Sequence, residues 1–158
     1  MEPPRPIYQT QDDLVKEQEV ADRIEVKLGK KIHKMGGNLN EIDRCVVGDN
    51  NIIEAVLEIK VRDINYKQFP TVFISSHKIL AGMPYVKYCD IPFYIAFSFN
   101  GDIHMYNVTE PEKYEYKWGG RTKQTRDSRD IEIMAHIPME DDIIQIPKTT
   151  NNVAQPVI

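Results

Sequence analysis

Ile52-Ile53-Glu54-Ala55-Val56-Leu57-Glu58-Ile59-Lys60-Val61 is the stretch on which the fold turns. Apolar residues recur at every second position: Ile53, Ala55, Leu57, Ile59 and Val61 share one face. Glu54, Val56, Glu58 and Lys60 share the other. A period of two is that of a β-strand, so the pattern predicts a strand with one face buried. Gly48-Asp49-Asn50-Asn51 stands just before it and is a strong turn signal. Residues 41–47, themselves strand-like, should therefore return as the other arm of a hairpin.

Working outward, residues 12–30 carry Leu14, Ala21, Ile24 and Leu28 at the three-and-four spacing of one helix face. Asp12 or Asp13 is placed to cap this helix and Gly29 to end it. A short segment (31–35) and a Gly36-Gly37-Asn38 turn lead into the hairpin. Beyond the hairpin, a second helix is predicted over residues 70–80, with Pro70 in its first turn and Ala81-Gly82 at its end. Residues 92–99 form a rich strand signal, and Asn100-Gly101 turns the chain into a further strand over 102–108. Residues 109–129 are polar and charged. A strand over 131–137 and an apolar patch over 142–146 close the pattern. The order of helix, strands, helix, strands predicts an α/β layer arrangement with a mixed sheet flanked by helices. The expected organisation is a loose N-terminal arm (1–11), a single domain (12–146) and a C-terminal tail (147–158).

Three charged features are unusual for such a fold. Glu17 completes the apolar stripe of the first helix, whereas Glu19 falls with Val15, Asp22 and Val26 on a more polar face. A carboxylate facing a core is costly unless something compensates it. Glu58 and Lys60, two residues apart, project from one face of their strand. Asp43 lies at the start of the preceding strand, and counting back from the turn puts it near the level of Glu58. Each has an ordinary explanation taken singly: a solvent-reaching helix edge, an edge-strand ion pair, a turn-favouring aspartate. Taken together, two converging carboxylates form a site for a hard divalent cation bound through oxygen, most plausibly magnesium. A nearby lysine is suited to position or deprotonate water. A cation there stabilises charge on a phosphoryl oxygen. The expected geometry puts the carboxylates of Asp43 and Glu58 within about 6 Å, close enough to share a cation.

This order of helix Glu, strand Asp, Glu-x-Lys on the next strand and a following helix resembles the PD-(D/E)XK nuclease superfamily. The likeness covers residues 14–108. It implies a restriction-endonuclease-like core, with Glu17 as the helix carboxylate, Asp43 and Glu58 as metal ligands and Lys60 as the catalytic lysine. The main-chain carbonyl of Ile59 is implied as a further ligand. The family's proline before the aspartate is replaced by Ile42. The likeness also implies a polar or basic side chain on the helix after the Glu-x-Lys strand. Lys78, or Ser75 and Gln68, would serve. Phe69-Pro70-Thr71-Val72-Phe73-Ile74-Ser75 and Gly119-Gly120-Arg121 resemble small phage or mobile-element members. The activity so implied is phosphodiester hydrolysis leaving 5′-phosphates, with Mg2+ as cofactor, Mn2+ able to substitute, and nucleic acid, first of all DNA, as substrate. Many relatives act as dimers, which leaves a homodimer open.

Composition fits this expectation. The chain has 158 residues, 41% hydrophobic and 28% charged, with a formal charge of −4. The acidic balance argues against a protein that coats nucleic acid through overall charge, but local basic patches still hold phosphate. Lys27, Lys30, Lys31 and Lys34 form one such cluster. Arg121, Lys123, Arg126 and Arg129 form another, beside Trp118, where a basic segment with an aromatic could grip phosphates and stack on a base. His33, His77, His104 and His136 lack zinc-ligand spacing, and Cys45 and Cys89 are too few for a disulfide framework. With no run of about 18 apolar residues and no apolar signal core, a cytoplasmic protein without membrane contact is expected, in the host if phage-encoded. The competing functions are a non-catalytic nucleic-acid- or protein-binding module on a nuclease-like fold, and a small interaction domain whose charges are only ion pairs.

Overall fold

The computed structural model describes residues 11–36, 41–120 and 131–148. Helix α1 (Gln11–Leu28) buries Val20, Ala21 and Ile24, with Leu28 packed behind them, and leaves Val15 and Val26 exposed. The helix starts one residue earlier than the spacing predicts, so Asp12 and Asp13 lie inside its first turn, where negative charge favours the helix dipole. Gly29, at φ +65°, ends it in the left-handed conformation that glycine adopts without strain.

Strands β1 (Lys31–Lys34), β2 (Arg44–Val47) and β3 (Ile53–Arg62) form an antiparallel meander. The predicted hairpin is present, its turn wound as a short 3-10 segment over Asp49–Asn51. The first arm is shorter than expected: pairing begins at Arg44, and Asp43 lies just before it. After a fourth strand, β4 (Thr71–Ser75), and helix α2 (Ser76–Cys89), β5 (Phe93–Phe99) runs parallel to β3. β6 (Asp102–Asn107) returns from β5 across Asn100-Gly101. With the last strand, β9 (Ile144–Ile146), at the far edge, the sheet order is β1-β2-β3-β5-β6-β9.

A parallel β3–β5 pair demands a crossover, and the crossover differs from the helix predicted over 70–80. Its first part, Thr71–Ser75, is the strand β4, and α2 begins only at Ser76. Residues 71–74 are Thr, Val, Phe and Ile, all β-favouring, and Ser75 caps the helix by accepting from the backbone N–H of His77. Gly82 does not stop the helix. It lets α2 lie against the Phe93 ring, which a Cβ at this position would strike. β4 belongs to a second sheet, β4-β8-β7, formed with β7 (Glu115–Gly120) and β8 (Ile131–Pro138). Trp118 and Gly119-Gly120, expected in a polar loop, therefore stand on a strand. Cross-strand pairing of Tyr116 with Ala135 and of Trp118 with Ile133 supplies the order that the charge-rich sequence conceals.

The main sheet is thus covered on both faces. α1 packs on Leu57, Ile59, Ala96, Ile103 and Met105. α2 and the second sheet pack on Val56, Phe93, Ile95, Phe97 and Phe99. Among the described residues no helix is long and apolar enough to cross a membrane.

Candidate active site

The site grows from the mismatch in length between β2 and β3. The last paired residues are Arg44 and Leu57. Glu58 to Arg62 of β3 keep β5 as their partner on one side, and among the described residues no strand pairs with them on the other. The backbone N–H of Val56 donates to Pro92, on the β5 side. By alternation Ile59 presents its N–H and C=O to the side that β2 has left. The register places Asp43 one step beyond the last pair, opposite Glu58 and on the same face of the sheet. Arg44, one residue on, turns to the other face, toward α1.

Glu58 is 2% exposed. Its Oε1 lies 3.5 Å from Lys60 Nζ and 3.4 Å from Lys78 Nζ. Its Oε2 is buried and has no hydrogen-bond partner. Burial pushes the Glu58 carboxyl above the usual range. Lys60 and Lys78 pull it back, and the charge of Asp43 pushes it further up. Lys78 reaches the site from α2 and also donates to the main-chain carbonyl of Glu41, at 2.6 Å, two residues before Asp43. It thus ties the Asp43 segment to Glu58. Lys60 sets its ammonium beside Glu58 and keeps 30% of its side chain exposed.

Glu17 meets this group from the other side. Burial raises its carboxyl pKa, and the charges acting on it are Arg44, Lys60, Asp43 and Glu58. α1 covers the opposite face of the sheet, so these charges act on Glu17 past the unpaired edge of β3. Glu19 is exposed. The two glutamates therefore part along the line that the helix stripe draws.

The structure accordingly brings Glu17, Asp43, Glu58 and Lys60 to one place, with Lys78 joined to Glu58. Ser75 caps α2, and the Gln68 side chain accepts from the Asn65 N–H; these contacts are local. Arg121, Lys123, Arg126 and Arg129 lie outside the residues whose side chains the structure describes. Arg44 is a member of the group that sequence reasoning does not pick out. It is 3% exposed, and its charge is the first to offset burial at Glu17. A signal for it exists: Arg44 alternates with Asp43, so it has to face α1. The donors present are carboxylate and carbonyl oxygens, which suit a hard divalent cation, and the orphaned Glu58 Oε2 is a lone pair aimed at no protein donor. Among the described residues no three His, Cys, Asp or Glu side chains form a metal cage by themselves.

This arrangement can be set beside known proteins. Residues 3–142 match the family model described as "Phage putative PDDEXK endonuclease". The chain belongs to that family. The fold of this PDDEXK chain is similar to that of Hjc from Archaeoglobus fulgidus, a Holliday junction resolvase from an archaeal hyperthermophile. The TM-score is 0.51 over 84% of this chain and 91% of that one, at 12% identity. The expected restriction-endonuclease-like α/β core is therefore present. A comparison with curated proteins gives no match.

Proposed function

We propose that this chain is a metal-dependent nuclease that hydrolyses phosphodiester bonds of DNA. The observation that carries this is the buried Glu58, with one oxygen shared by two lysines and the other unpartnered, set across from Asp43 at an unpaired strand edge. Asp43, Glu58 and the Ile59 carbonyl would hold Mg2+, with water completing the shell, since magnesium needs only one or two protein carboxylates. When bound there, Mg2+ supplies polarisation of the phosphoryl oxygen and a more acidic water. Lys60 holds the attacking water in line with the scissile bond, using the exposed side of its ammonium. Glu17 orients water from across the strand edge. Arg44 partly offsets the burial that raises the Glu17 carboxyl pKa. Lys78 fixes the Glu58 carboxylate and the segment leading to Asp43.

The membership of the family and the presence of all four motif residues favour catalysis over a binding-only module. The resolvase whose fold the chain shares makes branched DNA a substrate to test beside plasmid, linear duplex, single-stranded DNA and RNA. The wild-type protein is expected to cleave DNA with Mg2+ or Mn2+ and not with chelator. A homodimer, the form taken by many relatives, is measured by sedimentation on the same preparation.

A further inference from the structure

Strand β4 ends at Ser75, which pairs with Met134 of β8. Strands β7 and β8 continue past that point, pairing Trp118 with Ile133, Gly119 with Glu132 and Gly120 with Ile131. Among the described residues, the second sheet beyond Met134, toward Ile131, is therefore a two-stranded arm. Trp118 and Ile133 are a direct cross-strand pair. They lie on the sheet face whose next row carries Ile74 and Ala135 of the core, beside the exposed Tyr116. Ile74 and Ala135 are fully buried, but Trp118 is 74% exposed and Ile133 50% exposed. The pattern that makes a core farther along is kept on the arm with nothing of this chain's described residues closing over it.

The arm stands beside the candidate active site. Glu132, one residue from Ile133, lies 3.8 Å from His77 in the first turn of α2. The next residue of that helix, Lys78, reaches Glu58. One turn of α2 thus links the root of this arm to Glu58, which puts the arm on the side from which α2 approaches the site. An indole offers a flat face for a base, and stacking on it needs a base whose own face is free. A base pair inside continuous duplex has neither face free.

Resting on the nuclease function proposed above, we infer that Trp118, backed by Ile133, is a stacking platform for an unpaired base beside the scissile strand. The arm thereby selects DNA with a discontinuity (a fork, flap, branch or single strand) over continuous duplex. Such a platform is worth about 1–3 kcal/mol per base, or about a 5- to 150-fold change in affinity. A second copy of this chain is the rival occupant.

The chain contains one tryptophan, so its emission reports on Trp118 alone. Wild-type protein, with Ca2+ in place of Mg2+, is titrated with forked, single-stranded and blunt duplex DNA of one length. Binding is followed in parallel by anisotropy of the labelled DNA. Quenching by forked and single-stranded DNA, with little by blunt duplex, is expected. Trp118→Ala should raise KM on forked DNA at least about fivefold with kcat nearly unchanged, and Trp118→Phe should restore most of the loss. DNA that binds and is cleaved in Mg2+ without quenching overturns the platform and leaves the nuclease standing. Equal quenching by blunt duplex, an unchanged KM in Trp118→Ala, or emission that tracks protein concentration alone also overturns it. Absence of both binding and cleavage on every substrate overturns both proposals.

Discussion

Two buried polar groups share one face of the main sheet, and they are finished differently. Lys60, Phe97 and His104 stand in one cross-strand row. At the β6 end of that row, Asp142 accepts from Tyr66 Oη at 2.7 Å through Oδ1. Its Oδ2 accepts from His104 Nδ1 at 2.8 Å and Gln145 Nε2 at 2.9 Å. The Tyr66 ring stacks on His104, with centroids 3.7 Å apart. Burial pushes the Asp142 carboxyl up, but hydrogen bonds from His104, Tyr66 and Gln145 outweigh it and hold the group below its usual range. At the β3 end, Glu58 has one oxygen between two lysines, the other orphaned, and a pKa raised by burial. A closed network pins the fold. A buried carboxylate left short of partners is a cost that a cation can relieve, and perturbed groups of this kind cluster at functional sites.

Exchanging the charges is the strongest way to break this contrast. Glu58→Gln keeps the shape but removes a buried charge. Its cleavage rate should fall at least about a thousandfold, about 4 kcal/mol of barrier, while the thermal midpoint holds or rises. Asp142→Ala should do the reverse. It strands buried donors on His104 and Tyr66, so unfolding in urea should show a loss of about 2–4 kcal/mol. Its cleavage rate at low temperature should stay within a few-fold of wild type. A large stability loss in Glu58→Gln together with intact cleavage would erase the distinction.

The two ends also separate by pH. Asp142 has a lowered folded pKa, so its contribution is present above its unfolded value near 3.8 and is lost as pH falls through the lower folded value. Glu58 and Glu17 have raised folded pKa values, so the folded state binds more protons between the unfolded value near 4.5 and the raised one. Their effect on stability has the opposite sign: in chelator, stability rises as pH is lowered into that window. Denaturation curves across pH should show a smaller rise in Glu58→Gln, where Glu17 remains, than in wild type. Equal slopes would contradict it.

Smaller effects sharpen the comparison within the site. Lys78→Met leaves Lys60 in place but unties Glu58 from the Glu41 carbonyl, so activity should drop about tenfold, about 1.4 kcal/mol of barrier. Calorimetry should show weaker Mn2+ binding, because Asp43 and Glu58, the proposed ligands, are no longer held together. Glu19→Ala should be silent, whereas Glu17→Ala should slow cleavage. Equal rates for these two variants would remove Glu17 from the site.

Much of this is legible in the sequence wherever local periodicity decides structure. The alternation of residues 53–61 puts Glu58 and Lys60 on one face, and the Gly48–Asn51 turn puts Asp43 at the level of Glu58. The helix stripe singles out Glu17. The features that stay hidden depend on contacts distant in the chain. Thr71–Ser75 is a strand because β8, which pairs Thr71 with Pro138, supplies its hydrogen bonds. α2 runs through Ala81-Gly82 because the glycine meets Phe93 rather than solvent. β7 reads as polar because both of its faces reach water, Glu115 and Lys117 on one and Tyr116 and Trp118 on the other. Arg44 and the bridge from Lys78 require knowing which face α1 and α2 each cover.

Whether Asp43, Glu58 and Lys60 form a hydrolytic centre is tested most directly by Mg2+-dependent cleavage of plasmid and branched DNA. The wild type is assayed beside Asp43→Ala and Lys60→Ala, each first shown to be folded by circular dichroism. Cleavage by the wild type alone, abolished by chelator, is the predicted result. Cleavage that persists in both variants contradicts it.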